Sequence, residues 1–164
     1  MTKSPQRSLG EFVALMAVLF ATIALSIDAM LPALPQIAAE LSPDRPNLSQ
    51  LVITSFVLGM GVGTLFVGPL SDAFGRKRVI LFGALFFALS AVICFAAPSL
   101  ETLLIARVLQ GRGASAARVV SVAMVRDQFS GRAMARVMSF VMMVFMLVPA
   151  VAPLAPGAVH AAAW

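Results

Sequence analysis

A chain of 164 residues that is 60% apolar and only 12% charged, with a mean hydropathy of +0.98, is poorly suited to a water-soluble fold, because soluble domains are about a quarter charged. One cysteine, Cys94, and one histidine, His160, exclude a disulfide scaffold and a clustered metal site. The net charge of +5 and the pI of 11.1 carry no nucleic-acid signal, since the basic residues flank apolar runs instead of gathering on one solvated face.

About 20 apolar residues cross a bilayer core of roughly 30 Å, and five such runs are present: residues 12–34, 51–70, 79–97, 100–125 and 137–159. An all-α, polytopic membrane fold with five transmembrane helices is expected. The first run follows Lys3 and Arg7 and continues past Asp28, longer than the roughly 7–15-residue apolar core of a signal peptide, so it is read as an uncleaved helix. Residues 42–47, with two prolines, form the first connection. The second run carries Gly59, Gly61, Gly63 and Gly68, a spacing that lets helices approach closely, with substrate contact as the alternative use. Residues 71–78, Pro98 with Ser99, and residues 126–136 make the remaining connections. Met134, Met138, Met142 and Met146 recur every four residues, a stripe suited to helix packing or to varied apolar ligands.

Lys3, Arg7, Arg76, Lys77, Arg78, Arg126, Arg132 and Arg136 fall on one side of this arrangement, and the loops of the other side hold Arg45 against Glu40, Asp44 and Glu101. The positive-inside rule then puts the amino terminus in the cytoplasm, and an odd number of spans puts the carboxyl end outside, in the cell inner membrane.

Asp28, Arg107, Arg112 and Arg118 lie within spans, where each charge costs at least about 2.5–3.5 kcal/mol near the bilayer centre. From the helical rise, Asp28 and Arg107 both lie roughly 9–10 Å below the outer boundary on antiparallel helices. They are expected to face each other inside the bundle, where a carboxylate in a wet cavity can exchange a proton; the plainer alternative has Arg107 snorkelling outward and Asp28 capping. Arg118 is near enough to the inner boundary to snorkel, while Arg112, at mid-depth and about 140° around the helix from Arg107, has no evident partner. Pro32 has no N–H for the carbonyl of Asp28, so the backbone beside the acid is expected to be irregular.

Specific motifs resemble the major facilitator superfamily. Residues 68–78, GPLSDAFGRKR, resemble its loop between the second and third helices, and residues 107–115, RVLQGRGAS, its fourth-helix motif. Residues 24–35, ALSIDAMLPALP, are similar to the first helix of drug:proton antiporters of the bicyclomycin and chloramphenicol resistance (Bcr/CflA) branch. The resemblance implies a proton-driven exporter of lipophilic drugs, not an enzyme, with no cofactor beyond the proton gradient. Asp28 and Arg107 match positions linked to proton coupling and the substrate cavity. Gly68, Asp72, Gly75, Arg76 and Lys77 match the loop that latches the two halves of the transporter; Arg76 is placed to reach Asp127 across the cytoplasmic side. Pro149, Pro153 and Gly157 stand in the fifth-helix antiporter motif, which reads Pro153-Leu154-Ala155-Pro156-Gly157 where the family has Pro-x-x-Gly-Gly. Ala73 replaces the arginine usual after Asp72, and Arg112 an apolar residue.

Family members have two six-helix halves, so residues 1–164 are expected to be an incomplete amino-terminal six-helix domain that needs its carboxyl-terminal half or another chain for transport. Three readings stay open: a fragment of an efflux pump, an inert truncated or frameshifted product, and a small membrane module that assembles with another chain. The bias to small residues and proline in residues 155–164 is what a shifted frame in GC-rich coding sequence gives.

Overall fold

The structure, a computed structural model, describes residues 9–151. Six helices follow one another: α1 (Leu9–Asp28), α2 (Leu34–Leu41), α3 (Leu51–Phe74), α4 (Arg76–Phe95), α5 (Leu100–Gln128) and α6 (Gly131–Val151), with a 3-10 turn at Pro46–Gln50 before α3. Gly75 alone joins α3 to α4, residues 96–99 join α4 to α5, and residues 129–130 join α5 to α6. Of the helix pairs joined by links this short, α4 and α5 pack extensively on each other and the other two pairs only slightly.

The chain is an all-α, polytopic membrane protein. Among the described residues three helical segments are long and apolar enough to cross a membrane: Gly10–Asp28, Asn47–Phe74 and Arg76–Phe95. Of the expected five spans, the fourth and fifth do not meet that standard. Arg107, Arg112 and Arg118 interrupt α5. Arg132 and Arg136 open α6, and the end of its expected span lies outside the described residues.

The bounds also shift. The first helix stops at Asp28 instead of residue 34, and a separate short helix, α2, fills the stretch from the end of the expected first span to the expected connection at 42–47. Pro35 sits in the first turn of α2, where its missing N–H costs nothing. Conversely, α3 runs through Pro69 to Phe74, so the expected eight-residue connection shrinks to Gly75, whose φ of 87° and ψ of 142° are tolerated by glycine and little else.

α5 is the spine of the molecule. α3 and α4 both pack extensively on it and barely touch each other, while α1 pairs mainly with α6. Small residues explain the closeness. A Cβ on Gly59 would lie 2.1 Å from the carbonyl oxygen of Val108, and one on Gly111 2.1 Å from that of Phe56, so α3 and α5 meet backbone to backbone. Gly113 does the same against Phe87 and Gly83 of α4. The glycine stripe therefore packs helices, with Gly61 and Gly68 facing open space.

Phe12, Met16 and Phe20 of α1 bury against Val125 of α5 and Val137 and Val141 of α6, with the Phe20 and Phe145 rings edge to face at 6.3 Å. Met134 and Met138 pack on this cluster, but Met142 and Met146 are exposed. A four-residue repeat advances about 40° per step on a 3.6-residue helix, so the stripe winds out of the interface. α4 exposes Phe82, Leu85, Leu89, Val92 and Phe95, an apolar face on a helix long and apolar enough to cross a membrane.

Candidate functional site

The end of α1 sets the geometry around Asp28. Pro32 cannot donate to the Asp28 carbonyl, and the backbone tightens instead of leaving it orphaned: Leu31 N–H donates to it at 3.2 Å, and Met30 N–H to Ile27 at 3.2 Å. Leu25 is satisfied by Ala29 N–H at 2.9 Å. Met30 having turned to Ile27, the carbonyl of Ser26 is left to a donor from elsewhere, and Arg107 Nη1 of α5 supplies it at 3.4 Å. A guanidinium at a helix carboxyl end also meets the negative end of the helix dipole.

Arg107 is 6% exposed. Its Nη1 also donates to Gln110 Oε1 at 3.0 Å, and Cys94 Sγ of α4 lies 3.8 Å from the same oxygen. Nε of Arg107 is buried with no partner. The arginine is thus held inside the bundle, not snorkelling, and it reaches α1 two residues before half-buried Asp28. The two are not ion-paired within 4.0 Å: the ion pairs among the described residues are both made by Arg76. The arginine end of the expected pair is therefore placed at α1, on a backbone carbonyl instead of the carboxylate.

Gln110, Ser26 and Glu40 were not singled out by sequence. Gln110 had a signal, lying three residues from Arg107 and so on its face. Ser26 had none, because its carbonyl becomes available only through the helix break. Glu40, on α2, lines with Arg107, Gln110 and Cys94 a cavity of about 460 Å³.

At the other end of α3, Arg76 Nη2 bonds Asp127 Oδ2 of α5 at 2.7 Å and approaches Asp72 Oδ1 at 3.9 Å. The reach from Arg76 to Asp127 expected from sequence is present. Asp127 stands at the carboxyl end of α5, where an acid opposes the helix dipole, and Arg76 offsets it. Gly68 accepts a bond from the Ser71 hydroxyl at 2.8 Å, and Lys77 is exposed. Arg118 opens, with Asp72, Arg76 and Arg126, onto a cavity of about 390 Å³ at this end. Pro149 lies within α6; Pro153 and Gly157 fall outside the described residues. Among those residues no group of three or more His, Cys, Asp and Glu side chains is placed to hold a metal.

Residues 15–164 match the family model described as Major Facilitator Superfamily. The chain is 44% identical over 135 residues to an uncharacterized MFS-type transporter, YdgK, of Bacillus subtilis, covering 82% of this chain and 33% of that protein. It is 38% identical over 152 residues to a bicyclomycin resistance protein homolog of Haemophilus influenzae, covering 93% and 38%. A third relative, the multidrug resistance protein MdtL of Shewanella oneidensis, is 39% identical over 127 residues, covering 77% and 32%. The chain spans about a third of the length of these relatives.

Proposed function

Because the chain belongs to the major facilitator superfamily, a family of transporters and not of catalysts, we propose that it serves in proton-driven export of lipophilic drugs, as the amino-terminal part of a drug:proton antiporter of the Bcr/CflA branch. Its five long helices are taken as five spans of an inner-membrane protein, with the amino terminus in the cytoplasm and the carboxyl end outside. The relatives named for bicyclomycin and multidrug resistance support the substrate class.

The observation that carries the proposal is the buried Arg107 docked on the broken end of α1 beside half-buried Asp28. A cation held without a carboxylate partner is costly in lipid, and the nearest acid on α1 is two residues away. In the proposed cycle Asp28 takes a proton from outside and becomes neutral, leaving Arg107 on the Ser26 carbonyl. Loss of that proton to the cytoplasm restores the carboxylate, and the guanidinium moves towards it. Each exchange alters the fit between α1 and α5, and Arg76, Asp72, Asp127 and Gly75 hold the cytoplasmic ends of α3, α4 and α5 while the two transporter halves rock. The missing half of the cavity would come from the carboxyl-terminal half or another chain.

In the full-length transporter, Asp28→Asn is expected to reduce export driven by an imposed pH gradient while membrane insertion is kept, as measured by drug uptake into inverted vesicles and by the level of protein in the membrane. Undiminished export by that variant removes Asp28 from coupling.

A further inference from the structure

Arg112, for which neither the sequence nor the proposed transport cycle supplies a partner, lines a cleft between α3 and α4. The two helices scarcely meet, each packing on α5, and a groove of about 510 Å³ opens between them, floored by Gly113 and Ala116 of α5. Its sides are apolar and outward-facing: Phe74 of α3 is 61% exposed and Phe82 of α4 72%. Two charges line it, Arg112 from α5 and Arg78 from the first turn of α4, both exposed, and no carboxylate is among the lining residues. Neither arginine is ion-paired, since Arg76 makes the ion pairs found among the described residues.

The depth of the two charges differs. Gly113 packs on Gly83 and Phe87 of α4, which follow Arg78 by roughly 7–14 Å of helix rise. Arg112 therefore enters the groove well below the cytoplasmic mouth that Arg78 marks. Two planar guanidinium groups suit the paired oxygens of a phosphate, and basic pockets between helices on the cytoplasmic side bind anionic headgroups. The walls suit hydrocarbon and not a soluble anion.

We propose that this groove binds an anionic phospholipid of the surrounding bilayer, its phosphate held by Arg78 and Arg112 and an acyl chain laid along Phe74, Phe82 and Phe86. The lipid supplies the counter-charge that the protein lacks at Arg112.

The purified chain in neutral detergent, titrated with phosphatidylglycerol, phosphatidylcholine or inorganic phosphate and weighed intact by native mass spectrometry, tests this. One phosphatidylglycerol should be retained about tenfold more tightly than phosphatidylcholine. Arg112→Leu, which takes a charge out of an apolar groove and so does not hinder insertion, should abolish that preference; Arg78→Gln should weaken it; Arg132→Gln, on α6, should leave it unchanged. Equal retention of the two lipids by the unaltered chain, or a preference that survives Arg112→Leu, overturns the proposal. So does inorganic phosphate that competes as well as the lipid, or a lipid-free dimer lost in Arg112→Leu, which would make a second copy the occupant. Lipid retention is read without transport, so it stands or falls apart from the antiporter assignment.

Discussion

Arg107 and Gly75 are held in place by opposite kinds of constraint. Arg107 is fixed by partners, two acceptors on two helices that its Nη1 alone reaches, and its replacement by lysine keeps the charge but not the planar group that holds that nitrogen between them. Gly75 is fixed by its backbone alone, since a Cβ there meets nothing within 4 Å. Gly75→Ala is nevertheless expected to lower stability by roughly 1–3 kcal/mol, because its dihedral angles suit glycine and almost no other residue; thermal unfolding in detergent checks this. Asp127→Asn should cost little, about 0–1 kcal/mol, as its 2.7 Å bond to Arg76 joins partly exposed groups. A larger loss of stability on the same unfolding curve would show that the pair is more than a solvated bridge.

Among the helices, glycines that look alike in sequence are predicted to behave differently. Gly111→Ala drives a methyl group into the Phe56 carbonyl, and overpacking of this kind costs about 1–3 kcal/mol. Gly61→Ala meets open space and should be neutral or stabilising by up to roughly 1 kcal/mol, the helix preference of alanine. Unfolding of the two variants side by side distinguishes a packed stripe from a merely small-residue one. The sequence showed that Gly59 and Gly63 share a face, but the partners on α5 depend on how two helices cross, which periodicity does not contain. The break after Asp28 was legible in part through Pro32. That the chain would then form α2 was not, because eight residues with an internal proline carry the same local signals as a loop.

For the whole molecule, depth matching set Asp28 opposite Arg107 because helical rise converts sequence separation into distance, and the structure brings Arg107 to α1 at the Ser26 carbonyl. Depth matching could not supply that carbonyl, which is exposed to Arg107 by a local rearrangement of hydrogen bonds. The charges beside the short links were the easiest to read: Arg76 follows Gly75 and Asp127 lies at the end of α5, so the short connections bring them to the same end of the helices. Alternating access requires two halves moving about a shared site, and the chain spans about a third of the length of its relatives. These 164 residues expressed alone are therefore expected to give no energy-dependent drug efflux in cells lacking related pumps. Robust efflux under those conditions would mean that several copies assemble a complete pathway.

The dependence of α3 and α4 on α5 has a consequence in time as well as in space. During synthesis the ribosome delivers α3 and α4 before α5, and the two make few contacts with each other. Individually inserted helices that later associate are the ordinary route for such proteins, but here the association must wait for a latecomer. Until Gly111 and Gly113 emerge, α3 and α4 lack the backbone surfaces of α5 on which they pack in the finished fold. Synthesis halted before Leu100 should leave helices that are inserted yet unassembled, open to quality-control proteases, whereas a few dozen residues more would convert the same helices into a protected bundle.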